Sequence, residues 1–78
     1  MGTVLEFSGV KVRVLGNDHN PPHCHAYRGA CTARYNLVDM EWMSYEGFTR
    51  ADLALIEEQI KIDREPLMQE WERQNGKQ

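Results

Sequence analysis

His23-Cys24-His25-Ala26-Tyr27-Arg28-Gly29-Ala30-Cys31-Thr32-Ala33-Arg34-Tyr35 decides how this chain folds. Small apolar residues alternate with polar and aromatic ones on both sides of a glycine, the pattern of two strands joined by a tight turn. With Arg28-Gly29 as a two-residue turn, Tyr27 pairs with Ala30, Ala26 with Cys31, His25 with Thr32, Cys24 with Ala33 and His23 with Arg34. One face then carries Cys24, Ala26, Cys31, Ala33 and Tyr35, and suits a helix packed closely on it. The other carries His23, His25, Tyr27, Thr32 and Arg34, and is the open face. A slip of one residue would exchange the two.

Toward the N-terminus, residues 3–7 and 10–15 read as two more strands. Val10, Val12 and Val14 alternate with Lys11 and Arg13, and Ser8-Gly9 is a hairpin signal. Gly16-Asn17-Asp18 ends the second strand, and Pro21-Pro22 holds the next residues extended. Beyond the central hairpin, Val38 to Met43 reads as a fifth strand, with Val38, Met40 and Trp42 on one side, and Ser44 to Gly47 as loop. Thr49-Arg50-Ala51-Asp52 has the form of a capping box, with Phe48 and Leu53 placed for a hydrophobic staple. Leu53, Ile56, Ile60, Leu67 and Trp71 then recur at helical spacing as one apolar stripe, and Glu57 and Lys61 form an i,i+4 pair. Pro66 removes a helical N–H, which predicts a kink or a second helix capped by Asp63. Gly76 ends the helical region. Leu55 and Ile62 lie off the stripe and are candidate oligomer contacts. The expected architecture is α+β: a four- to five-stranded antiparallel β-meander with a C-terminal helix, kinked or split near Pro66, packed on one face. Residues 1–78 form one domain, with strands over about 3–43 and the helical region over about 49–75.

Composition narrows the function classes. A 78-residue chain buries only about 60% of its unfolded surface, so its core is thin. Its apolar runs fall far short of the ~20 residues that span a bilayer, and Met1 to Glu6 lack the basic and apolar regions of a signal peptide. A cytoplasmic protein without membrane contact is expected, with both cysteines as thiols. The net charge of −3 conceals a split. Residues 1–38 hold four basic side chains and two acidic ones, a net of +2, while residues 39–78 hold ten acidic and five basic, a net of −5. The halves can face different partners, but the chain is no strongly basic nucleic-acid binder.

All three histidines fall within Asn17-Asp18-His19-Asn20-Pro21-Pro22-His23-Cys24-His25. His23 and His25 project from one face of a strand, ~7 Å apart at Cα, and two imidazoles at that spacing can converge on one ion. His19 or Asp18, returning over the prolines, can add a third ligand. The metal-ligand candidates are therefore His19, His23 and His25, for a divalent transition metal such as zinc, nickel or manganese. Cys24 and Cys31 point to the other face and are excluded. The plainer reading has the histidines bonding backbone carbonyls of the turn. With Lys11 and Arg13, the candidate residues Asp18, His19, His23, His25, Tyr27 and Arg34 make a cationic and aromatic patch that can receive a phosphate, RNA or an acidic peptide. Nucleic acid is not the favoured partner, since a solvated sheet face has the same composition.

The stretch Asn17-Asp18-His19-x-Pro21-Pro22-His23-x-His25 resembles the signature of a family of small bacterial proteins known as domain of unknown function 4160. The likeness covers about residues 3–75 and includes the ending Glu65-Pro66-Leu67-Met68-Gln69-Glu70-Trp71. It implies little chemistry, because the family has no settled activity. Its members look like accessory pieces of toxin–antitoxin-like gene pairs or mobile elements, which implies a regulatory or partner-binding protein. Together these readings lean away from an enzyme, toward a module that works through a protein partner as a homodimer. The rival is a small metal- or histidine-dependent hydrolase of a phosphodiester or RNA, using His23 and His25.

Overall fold

The computed structural model describes residues 3–16 and 21–76. Five strands, β1 (Thr3–Phe7), β2 (Val10–Arg13), β3 (His23–Arg28), β4 (Cys31–Asn36) and β5 (Glu41–Glu46), precede two helices, α1 (Arg50–Ile62) and α2 (Arg64–Asn75). The strands form a single antiparallel sheet in chain order, so the described residues make an α+β meander with a helical C-terminal part.

Turn chemistry sets the registers. In the β1–β2 hairpin both central residues, Ser8 and Gly9, have positive φ (49° and 78°), the twist that matches the flanking strands. In the β3–β4 hairpin the two-residue turn is Gly29-Ala30, with Arg28 opposite Cys31, and not Arg28-Gly29. Gly29 takes φ 60° at the first central position, where a type II′ turn needs a residue without a Cβ. The correction slides β4 by two residues. Parity therefore survives, but the partners change: His25 lies opposite Arg34, Cys24 opposite Tyr35 and His23 opposite Asn36.

The fifth strand also begins later than its composition suggests. Asn36 Oδ1 accepts the N–H groups of Val38 and Asp39 at 2.8 Å each, an Asx turn that competes with strand pairing. Residues 37–40 are turn, Met40 has φ 57°, and Val38 is exposed rather than on a buried side. Ser44 to Glu46, read as loop, are strand. A bulge between Arg34 and Tyr35 puts Trp42 edge-on against Tyr35, 4.8 Å between centroids.

The covered face of the sheet supplies Val10, Val12, Cys24, Ala26, Ala33 and Tyr35 to the core, and α1 answers with Leu53, Ile56 and Ile60. Ala26 and Ala33 are direct cross-strand partners, and both are buried in this core. The capping box at Thr49 and Asp52 is present, and Phe48 and Leu53 both enter the core. Arg28 Nη2 donates to Asp52 Oδ2 at 2.7 Å, which with the Thr49 N–H holds that carboxyl down at about 2. Tyr35 donates its hydroxyl to Glu57 Oε2 at 2.7 Å, and burial followed by this bond raises its phenol above the ordinary value.

The helical region divides at Asp63 (φ −104°, ψ 23°). Pro66 is the third residue of α2, where no intrahelical N–H bond is lost. Asp63 occupies the N-cap position, but its side chain makes no capping bond. α2 does not continue over the sheet face. Arg64 Nε donates to the Leu37 carbonyl (2.9 Å), Gln74 Nε2 to Val14 (3.0 Å) and Asn75 Nδ2 to Leu15 (2.9 Å). These carbonyls follow the ends of β4 and β2, so α2 lies across that end of the sheet, where β3 begins. Leu67 and Trp71 close the core there.

Candidate functional site

β3 carries the candidate residues in a row, because alternate side chains share a face. His23 enters the strand from Pro22, whose carbonyl accepts the Leu37 N–H at 2.9 Å. Its Nδ1 lies 2.8 Å from the Pro21 carbonyl. A carbonyl only accepts, so Nδ1 carries the proton and donates it to this bond. The ring is buried at 4% exposure, 5.2 Å from Trp71 and 5.0 Å from His25 between centroids. His25 in turn stacks on Tyr27 at 6.1 Å, with the planes 5° apart. A continuous series of rings thus runs from Trp71 at the closed end along the open face to Tyr27.

The corrected register places cations beside this series. Arg13 and Arg34 are the cross-strand partners of His25 on either side, and Lys11 and Thr32 those of Tyr27. Ser44 follows Arg34 on β5, and its Oγ accepts from Arg34 Nε at 3.1 Å. The ion pairs found among the described residues join Arg28 to Asp52 and Arg73 to Glu70. Arg13 and Arg34 face no carboxylate at that range, and Arg13 Nε is buried with no hydrogen-bond partner among the described residues.

His23, His25, Tyr27 and Arg34 are thus brought together, while Asp18 and His19 lie outside the described residues. The proposed third metal ligand falls there too, and among the described residues no group of three or more His, Cys, Asp or Glu side chains converges. Cys24 stays out of the site, on the covered face, where burial pushes its thiol up to about 12. Cys31 is a free thiol as well, packed at the far end of the sheet against Gly47, where a Cβ would stand 3.0 Å from its sulfur. Trp71 is the neighbour that local reading missed. Helical spacing put it in the core, but nothing in its surroundings signals a histidine 48 positions earlier. No ligand-sized pocket opens among the described residues.

A family model described as a domain of unknown function, DUF4160, matches residues 9–72. The chain belongs to that family. No curated protein and no solved structure matches it. The DUF4160 match takes in β2 through most of α2, and so every candidate residue on β3 and β4. No helix among the described residues is long and apolar enough to cross a membrane.

Proposed function

We propose that this DUF4160 protein is a cytoplasmic regulatory or partner-binding module that works as a homodimer, of the kind that accompanies toxin–antitoxin-like gene pairs or mobile elements. The observation that carries the reading is the outer surface of α1. Leu55 and Ile62 are 45% and 68% exposed there, seven residues apart and therefore on one side of the helix. Val38, 51% exposed, stands beside Leu37, whose carbonyl is bonded from Arg64 at the same end of α1. Laid antiparallel, two copies of α1 would set Leu55 against Ile62 twice, a self-complementary contact of the type a two-fold interface requires. The two free thiols suit a reducing compartment.

Light scattering across a wide concentration range tests this. The wild-type protein should approach twice the monomer mass, and Leu55→Glu with Ile62→Glu should remain monomeric and folded. A wild-type protein that stays monomeric throughout overturns the reading.

One observation favours the hydrolase as a second reading. The rings of His23 and His25 are 5.0 Å apart, close enough to converge on one ion, although the bond from His23 to the Pro21 carbonyl is the contact the plainer structural reading expects. Elemental analysis of untagged protein should then find stoichiometric zinc, nickel or manganese that His23→Ala loses, together with turnover of bis(p-nitrophenyl) phosphate. Neither in the wild-type protein rejects it.

A further inference from the structure

We propose that the open face of the sheet binds the phosphate of a mononucleotide, held between Arg13 and Arg34 over His25, with the base lying along Tyr27. The inference is independent of the dimer, since this face is the one opposite α1. Adjacent strands lie about 4.8 Å apart, so the two arginines flank His25 one strand to either side of β3; Arg34 Nε is taken by Ser44 Oγ, which leaves its terminal nitrogens as the ones offered to a phosphate. Planar guanidinium forks match phosphate oxygens in bidentate geometry.

Three features distinguish this row from an ordinary solvated sheet face. First, across β2 to β5 it reads Arg13, His25, Arg34, Ser44, with no carboxylate, whereas the neighbouring rows include Glu46 opposite Thr32 and Glu41 opposite Asn36. Secondly, among the described residues neither arginine has an acidic partner, although the chain carries twelve Asp and Glu residues against nine Lys and Arg. Thirdly, the Nε of Arg13 is a donor withdrawn from water with no partner among the described residues, a costly arrangement unless an acceptor completes it. The ring of Tyr27, half-buried and parallel to His25, extends the same face with an aromatic plane. Aromatic planes of this kind carry bases without regard to their identity. The helix α1, whose charges sum to −1, lies beyond the sheet and core, a separation comparable to the screening length of about 8 Å at physiological ionic strength. It therefore weakens a small anion on the open face little, while a long polyanion would meet it.

Titrations with inorganic phosphate, UMP, uridine and octauridylate at low ionic strength, followed by amide shifts in two-dimensional NMR, test the site. UMP should give saturable shifts centred on Arg13, His25, Tyr27 and Arg34, and should bind roughly fivefold or more tightly than phosphate through base stacking. Arg34→Ala, at an exposed position, should weaken both UMP and phosphate by about tenfold, and Arg34→Lys should recover part of that loss. Tyr27→Ala should bring UMP down to the affinity of phosphate and leave phosphate itself unchanged. Unaltered shifts away from the site would show that each variant is folded. The proposal is overturned by absence of saturable binding of UMP, by uridine binding as well as UMP, or by an Arg34→Ala protein that binds like the wild type. Equal affinity for phosphate and UMP removes the nucleotide, and octauridylate binding without UMP binding replaces it with an RNA strand.

Discussion

The β3–β4 hairpin has two faces made from alternate residues of the same twelve, and they differ in what holds them. On the covered face Cys24, Ala26, Ala33 and Tyr35 are almost fully buried in the core shared with both helices. On the open face Tyr27 is half-buried, while Thr32 and Arg34 are exposed, and the groups that meet there are rings and cations. Volume governs the first face, where a methylene matters. Charge and ring geometry govern the second, where side chains can change with little effect on folding. His23 is the exception that joins them: it belongs to the open face by parity, yet Trp71 and the closed end of the sheet bury it.

That contrast can be broken at several points. The largest effect should come from Trp71→Ala at the closed end. It should cost about 3–5 kcal/mol, a large share of the stability of a domain this small, as measured by denaturant unfolding. A cost below about 1 kcal/mol would mean that the sheet end is not part of the core. Ala26→Leu should cost about 1–3 kcal/mol by overpacking under α1. Tyr35→Phe should lose about 1 kcal/mol with the bond to Glu57.

Smaller still is the effect of Asp52, whose pH dependence is confined to acid. Its carboxyl titrates near 3.8 when unperturbed and at about 2 in the folded protein. The stability it contributes is complete above the unfolded value and disappears as pH falls from there through about 2. Asp52→Asn should flatten the stability profile in that window alone; an unchanged profile would mean that the Arg28 contact does not persist in solution. The least effect should follow Arg34→Ala, within about 0.5 kcal/mol. A loss there as large as that of Ala26→Leu would erase the distinction between the faces.

Short-range patterns in the sequence were enough for the first hairpin, the alternation of β3 and β4, the capping box at Thr49 and the helical stripe, because each depends on residues within a few positions of one another. Parity is the clearest case: a period of two assigns His25 and Cys24 to opposite faces whichever pairing is adopted. The alternative of a second helix starting near Asp63 to Pro66 was likewise legible, because Pro66 fits the first turn of a helix without loss of a bond. What the tertiary structure alone decided is which residues meet. The position of Gly29 within its turn chose Arg34 over Thr32 as the partner of His25. The Asx turn at Asn36 moved the start of β5. The bonds from α2 to the ends of β2 and β4 carried Trp71 onto His23. The bonds from α2 join residues far apart in the chain, so their free energy depends on how the whole sheet end closes, and no local pattern encodes it.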